Sequence, residues 1–363
     1  MWNSLGAAPQ PTEIEVTVLG PGYGESVVVH LGQGEWLIVD SCIDTVDPNR
    51  PIAPLHYLRK IGVSVDKAVK YIIVSHWDDD HVRGIDDIVE ACPSARFVCS
   101  KAFPNDKFIN FVEAISIGSA AAEGGNVRNI RRVLEILESR GQTIRVAGPA
   151  RMLCTNPDIQ SWSPSDLDEA EFLRYVAQMY PKAGKPLRKA LPGTANLTSV
   201  VLTIDWPESS VLLGADMEFN SNNLRGWGAV ASEVNHLKRQ RKGDLVKIPH
   251  HGSHTGHDNR MWQCLLHPKP ISVVTPFGKG PRQGRPPKPT DVNRIRDHSG
   301  TMFLTAKHAE QKVPKMDVAV TRSLREGMIS MTSQKSPMGI VRHRRMQGDQ
   351  WKHELFGAAV RVK

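Results

Sequence analysis

Ten consecutive residues, Ser75-His76-Trp77-Asp78-Asp79-Asp80-His81-Val82-Arg83-Gly84, hold two imidazoles and three carboxylates. The run before them, Ala68–Val74, is rich in β-branched and aromatic residues and predicts a buried strand. Beyond Gly84, apolar Ile85, Ile88 and Val89 fall at helical spacing. A tight loop between a strand and a helix can aim alternate side chains into one cavity. His76, Asp78, Asp80 and His81 are therefore candidate ligands for two metals. A solvated acidic turn with incidental histidines would leave two further clusters unexplained. The strand expected over Leu245–Pro249 delivers His250-His251-Gly252-Ser253-His254, with His257 close behind. The strand expected over Ser210–Gly214 ends at Ala215-Asp216, where a carboxylate can bridge two metals or cap a helix. Asp40 ends an earlier strand, as a turn aspartate or as support behind a metal-ligating side chain.

These residues need elements to position them. Ile14–Leu19, Ser26–Leu31 and Glu35–Val39 are three strands joined by glycine turns, an antiparallel meander. Pro54–Lys60 reads as a helix and Ala95–Cys99 as a strand. Val127–Arg140 is an amphipathic helix with Ile130, Val133, Leu134 and Leu137 on one face. A helix starts at Asp166, with Ser165 as N-cap and Asp168 at N3. Residues of about 101–190 are taken as a helical insertion, ending in the basic loop Tyr180–Lys189. Strands follow at Val200–Ile204 and Ile271–Thr275. A basic Gly/Pro loop, Gly278–Lys288, leads to a helix at Val292–His298 and a strand at Thr301–Thr305. Past residue 305 the chain turns polar and basic, with short strands expected at Val318–Val320 and Met328–Met331. The run Arg342-His343-Arg344-Arg345 reads as a solvated tail or a phosphate contact.

The charge is lopsided. The net +8 divides into 21 Lys and Arg against 29 Asp and Glu up to residue 236, and 25 against 9 beyond it. Such a field favours an anionic partner for the C-terminal half, with nucleic acid foremost. The length suits one large α/β domain with decorations or two small ones. No apolar run reaches the roughly 18 residues of a membrane span, so no membrane role is expected. The N-terminus lacks the basic and apolar regions of a signal peptide. Five cysteines with no C-x-x-C pair suit reduced thiols in a cytoplasmic protein.

In order, Asp40 after a strand, the His76–His81 loop, Asp216 after a strand and the His250-His251-Gly252 turn resemble the metallo-β-lactamase superfamily. The pattern is most similar to the hydrolase domain of the competence DNA-uptake channel proteins. The matching pieces are Ser75–Gly84, Asn196–Ser199 before a strand, Leu212–Asp216 and Lys247–Ser253. The resemblance implies an α/β fold, a four-layer αββα sandwich with a di-metal site along one edge of two sheets. It covers roughly residues 13–100 and 194–305, giving a hydrolase domain over 1–305 and a basic C-terminal extension over 306–363. Arg83 stands where a small or apolar residue is usual. Gln283-Gly284-Arg285-Pro286 has arginine where the subtype has histidine.

Two departures bear on the metal. Asp78 takes the place of the usual second histidine of the loop, and no histidine lies between His81 and His236. The resemblance then implies one metal on His76, Asp78, Asp216 and water, with Asn196 a further candidate. The second would take Asp80, His81, Asp216 and one of His250 or His251. His251 is the better placed in the motif because it precedes glycine. This oxygen-rich set favours two divalent ions of the harder kind, Mn²⁺ or Mg²⁺, with Zn²⁺ the alternative.

Such a pair would activate a hydroxide for in-line phosphodiester hydrolysis. Asp80 and Asp216 would carry the catalytic metals. Lys247, Lys279, Arg282 and Arg285 would neutralise phosphates, Asn196 and Ser199 would contact substrate, and His254 is a candidate general acid. The leading expectation is a cytoplasmic nuclease. A hydrolase of a small nucleotide messenger or lactone is the alternative, and a binding module that kept only the fold is a third class. Repair, phage defence and a partner-gated effector are all compatible, so a regulatory protein partner and the oligomeric state stay open.

Overall fold

The computed structural model describes residues 1–118, 125–180, 194–277, 285–307 and 337–363. The first half of the chain lays down β1 (Ile14–Pro21), β2 (Tyr23–Gly24), β3 (Ser26–Gly32), β4 (Glu35–Val39), β5 (Cys42–Ile43), β6 (Val69–Ile73), β7 (Arg96–Ser100) and β8 (Arg145–Ala147). Next come β9 (Arg151–Thr155), β10 (Asp158–Ser161), β11 (Leu202–Trp206), β12 (Ser209–Leu213), β13 (Gly243–Lys247), β14 (Leu266–Val274) and β15 (Thr301–Leu304). The chain finishes with β16 (Met338–Arg345), β17 (Lys352–Gly357) and β18 (Val360–Arg361). Two eight-stranded sheets result, ordered β17-β16-β1-β3-β4-β6-β7-β8 and β18-β15-β14-β13-β12-β11-β10-β9.

Period-two alternation explains the layering. In β4, Leu37 and Val39 join an apolar cluster with Leu202, Ile204, Val211, Leu213 and Leu245 of the second sheet. Trp36 and Ile38 point the other way, into a cluster with helix residues such as Leu58, Ile88, Ile130 and Phe172. The second sheet repeats the pattern, with Leu212 and Val246 packed on Trp227, Val230 and Ile295. Helices α1 (Ala53–Lys60), α2 (Val65–Ala68), α3 (Asp79–Val82), α4 (Ile85–Ala91), α5 (Asp106–Gly118), α6 (Gly125–Ser139) and α7 (Asp166–Met179) belong to the first half of the chain. α8 (Gly226–His236) and α9 (Pro289–His298) cover the second sheet. The expected four-layer αββα sandwich is the observed one. Each fully buried aliphatic side chain in it contributes about 1.5–3 kcal/mol of transfer free energy.

Local signals held where they were self-contained. Ser165 Oγ accepts from Asp168 N at 3.2 Å at the start of α7. Gly84 enters α4 at φ +80°, and a Cβ there would lie 2.3 Å from Ile52 Cδ1. β1, β3 and β4 pair antiparallel as a meander.

Two boundaries are corrected. The stretch taken as a helical insertion also supplies strands to both sheets, β8 to the first and β9 and β10 to the second. Of the stretch taken as a basic extension beyond 305, residues 337–363 are built into the fold: β16 lies between β1 and β17, and β18 pairs with β15. The Arg342–Arg345 run is therefore no solvated tail, and its guanidinia are already held by carboxylates. Arg342 is buried against Glu354 and over the Phe356 ring, Arg344 pairs with buried Glu15, and Arg345 pairs with Asp244. The loop over 181–189 and the strands expected at Val318–Val320 and Met328–Met331 lie outside the described residues.

Candidate metal centre

Four strands end at one edge. β4 and β6 run parallel and release Asp40 and the 75–82 segment from their carboxyl ends. β12 and β13 run parallel and release Asp216 and the double-histidine turn. Ligand sites of α/β sheets gather at such carboxyl ends. The backbone there is forced: Asp40, Ala215, His250 and His251 all have positive φ, between +48° and +59°. Non-glycine residues hold that conformation only where the surroundings over-determine it, as at functional sites.

The loops bring the imidazoles and carboxylates together. His81 Nε2 lies 3.6 Å from Asp216 Oδ2 and 3.9 Å from Asp80 Oδ2. His251 Nε2 lies 3.3 Å from Asp80 Oδ2 and 3.5 Å from Asp216 Oδ2. His76, His81 and Asp216 form one ligand group, and Asp80, His81 and His251 a second that shares His81. Asp78 sits at the open side, half exposed, with Oδ2 3.9 Å from His76 Nε2.

The hydrogen bonds fix which nitrogen faces the cavity. Asp40 Oδ2 accepts from His81 Nδ1 at 2.9 Å and from Ser75 Oγ at 2.6 Å, while its Oδ1 accepts from Ser75 N at 2.7 Å. Because Ser75 Oγ donates to Asp40, it accepts from His76 Nδ1 at 3.0 Å. His251 Nδ1 donates to Thr275 O at 3.1 Å. In all three rings Nδ1 carries the proton. The three Nε2 atoms and Asp216 Oδ1 are buried without a hydrogen-bond partner. Leaving such atoms unpaired costs about 1–3 kcal/mol each, and a cation held between them removes that cost. The residues present fit divalent metal ions.

The charge balance agrees. Burial alone would lower the pKa of His81 and His251. The carboxylates of Asp216 and Asp40 outweigh it at His81, and those of Asp216, Glu25 and Asp80 at His251, which is pushed up to about 9. The same imidazoles outweigh burial at Asp216 and Asp80 and hold both carboxyls below their usual range. Positive charge is stabilised here, and a metal competes with protons for such ligands. His76 is the exception. Burial, with His81 beside it, lowers it to about 3, which keeps it neutral as a ligand must be.

The remaining sequence candidates fall in different places. His250 lies outside both ligand groups. Its Nδ1 meets Glu218 Oε1 at 3.0 Å and Thr255 Oγ1 at 2.9 Å. The geometry thus brings in His251 rather than His250. His254 is exposed in the next turn. Asn196 and Ser199 are buried beside the loop, where Val200 N donates to Ser75 O at 2.9 Å, and Asn196 Oδ1 and Ser199 Oγ have no hydrogen-bond partner. Lys247 is corrected: it is 2% exposed and bonded to Glu25 Oε1 at 2.6 Å, so its charge is spent inside the fold rather than on a phosphate. Arg285 is half-buried, while Lys279 and Arg282 lie outside the described residues. Sequence reasoning missed Glu25, whose neighbours Gly24 and Ser26 give no sign of a site.

Residues 19–108, which include Asp40 and the whole His76–His81 loop, match the family model of the metallo-beta-lactamase superfamily. The fold is the metallo-β-lactamase fold. Members of that superfamily are in general metal-dependent hydrolases. Among solved structures the chain is similar to the metallo-beta-lactamase SMB-1 bound to 2-mercaptoethanesulfonate, at 12% identity over 68% of this chain and 81% of that one, TM-score 0.35. It is also similar to the hydrolase AbOPH, at 13% identity over 61% and 70%, TM-score 0.35. A third is the metallo-beta-lactamase fold protein YhfI from Bacillus subtilis, at 14% identity over 65% and 70%, TM-score 0.34. No curated protein sequence matches the chain. Among the described residues, no helix is long and apolar enough to cross a membrane. The five cysteines of this metallo-β-lactamase fold are all unpaired.

Proposed function

We propose that this chain is a metal-dependent hydrolase of phosphodiesters and that its substrate is nucleic acid. The observation that carries the hydrolase reading is the set of three Nδ1-protonated histidines with unpartnered Nε2 atoms around Asp216. Two divalent ions bound there would polarise the phosphate and lower the pKa of an attacking water. The chain's own residues do the rest. Asp40 keeps His81 in its tautomer, Asp216 stands between His81 and His251, and Asn196 and Ser199 offer unpaired polar atoms beside the loop. Asp78, half exposed, adds a carboxylate at the open side, which is the support for Mn²⁺ or Mg²⁺, while the two imidazoles in each ligand group suit Zn²⁺. His254, exposed beside the double-histidine turn, is the candidate general acid. The similarity of Ser75–Gly84, Asn196–Ser199 and Lys247–Ser253 to the hydrolase domain of competence DNA-uptake channels supports a nucleic acid, as does the basic C-terminal half. A cytoplasmic setting fits the unpaired cysteines.

One observation favours a small substrate instead. Arg239, Arg260, Arg294, Arg342, Arg344 and Arg345 of the basic half are already paired with carboxylates. That leaves less free charge than the sequence promises. Purified protein incubated with plasmid, linear duplex, single strands, RNA and a small chromogenic diester, each with Mn²⁺, Mg²⁺ or Zn²⁺, separates the readings. Cleavage of a polymer, strongest with Mn²⁺, is the expected result. Turnover of the small diester alone supports the small-substrate enzyme. Full activity with two tightly held zinc ions would refute the hard-ion argument.

A further inference from the structure

We infer that Glu25 is a positioning residue that aims His251 at the metal centre, and that the segment Tyr23-Gly24-Glu25 clamps the two halves of that centre together. The inference rests on the metal reading above. His81 has its own carboxylate, Asp40, on the same sheet. His251 belongs to the other sheet, and the only carboxylate at its Nδ1 among the described ion pairs comes across the sandwich. Glu25 Oε2 lies 3.5 Å from His251 Nδ1 and is buried without a hydrogen-bond partner. Its other oxygen accepts from Lys247 Nζ at 2.6 Å, and Lys247 also donates to Ile248 O at 2.9 Å. The carboxylate is thereby held from behind, with one oxygen facing the imidazole. Since Nδ1 already donates to Thr275 O at 3.1 Å, Glu25 acts on the ring by its charge rather than by a hydrogen bond.

The same segment grips the 75–82 loop. Glu25 N donates to Asp80 O at 3.0 Å. Gly24 lies so close that a Cβ would sit 2.1 Å from Asp80 O. Tyr23 donates its hydroxyl to Asp79, and its ring lies 4.4 Å from the Arg83 guanidinium. Three consecutive residues therefore touch the Asp79–Arg83 side of the centre and the His251 side. A carboxylate on the far nitrogen of a metal-ligating histidine fixes the ring and raises its basicity, and losing one typically lowers metal affinity 10–100-fold.

Removing Glu25 alone strands a buried Lys247 charge, which destabilises any fold. The test therefore uses Glu25→Gln and the double variant Glu25→Gln with Lys247→Met, each as the full chain. Zn²⁺ and Mn²⁺ binding is followed by calorimetric titration, ligand geometry by the Co²⁺ absorption spectrum, and stability by thermal melting without metal. The double variant should recover the melting temperature that Glu25→Gln loses. It should still show one of two metal sites weakened about 10–100-fold, with an altered Co²⁺ spectrum. Wild-type affinity and spectrum in the double variant would make the ion pair purely structural and overturn the inference. Absence of any divalent-ion binding by the wild type would instead overturn the metal reading itself.

Discussion

Two groups of histidines contrast in this molecule, and their neighbours make them opposites. At the candidate metal centre His81 and His251 face Asp40, Asp80, Asp216 and Glu25, and their pKa values are drawn upward. Between β16 and β17, His343 and His353 face each other with Nδ1 atoms 2.7 Å apart, ringed by Phe303 and Trp351. Burial and the neighbouring imidazole push His343 down to about 3. His343 Nε2 is also buried without a hydrogen-bond partner. An unpartnered ring nitrogen is therefore not enough to mark a cation site. Carboxylates around it decide whether positive charge is welcome.

The largest effect that sharpens this contrast is on catalysis. Asp80→Ala should lower hydrolysis roughly a thousandfold or more, the several kcal/mol a polarising cation supplies, while the fold survives because the residue sits in the single turn of α3 and belongs to none of the apolar core clusters. His343→Leu should leave turnover of folded protein unchanged. Rates measured on both, with melting curves to verify folding, check the pair of outcomes. Wild-type turnover by metal-loaded Asp80→Ala would remove that carboxylate from the centre.

Metal binding should divide the two groups next. At a concentration about 100 times its dissociation constant, a bound ion stabilises the native state by about 2.7 kcal/mol. Chelation should lower the melting temperature of the wild type and of His343→Leu alike. It should do so much less for His81→Ala, because His81 belongs to both ligand groups, and by an intermediate amount for His251→Ala, which belongs to one. Equal shifts in all four proteins would place the stabilising ion elsewhere.

Acid supplies the third effect, and it belongs to the other pair. His343 titrates near 6.5 when unfolded and near 3 when folded, so the unfolded chain binds more protons between those values. Stability contributed by the neutral, buried ring is present above about pH 6.5. It is lost as pH falls through that window, at about 1.4 kcal/mol per pH unit. Replacing His343 by Phe should flatten that limb of a urea-unfolding series from pH 7 to 4. An unchanged slope would mean that the unfolding His343 ring takes up no proton.

The contrast also explains what the sequence disclosed. His76, Asp80 and His81 were legible because a strand, a turn and a helix of one continuous stretch hold them, and Asp40 because it ends a strand. Asp216 and His251 were legible because each leaves a buried strand. Glu25 was not, since its partners Lys247 and His251 are more than two hundred residues away on the other sheet. The Arg342–Arg345 run was misread for the same reason. Nothing local reveals that Glu15, Glu354 and Asp244 await these guanidinia, so a buried strand looks like a basic tail. The division of the sandwich at residue 305 failed likewise, because strand pairing between β1 and β16 spans nearly the whole chain.

The smallest effect asks how much of the basic half still reaches a polyanion. Each phosphate contact releases counterions, so losing one flattens the salt dependence of binding by about one unit of slope. Replacing Lys279, Arg282 and Arg285 together by Ala should weaken nucleic-acid binding across sequences and reduce that slope, while a small chromogenic diester is still hydrolysed. Arg345→Gln should leave the slope alone. Its guanidinium already lies 2.9 Å from Asp244 Oδ2, and removing a partly exposed pair of this kind costs about 1 kcal/mol or less of stability. Filter binding or fluorescence anisotropy across a salt series reads both. If Arg345→Gln flattens the slope as much as the loop replacement does, its ion pair opens to bind phosphate, and the basic run of β16 rejoins the substrate surface. If neither changes the slope while small-diester turnover collapses in the triple variant, the loop serves the chemistry and the nucleic-acid reading loses its main support.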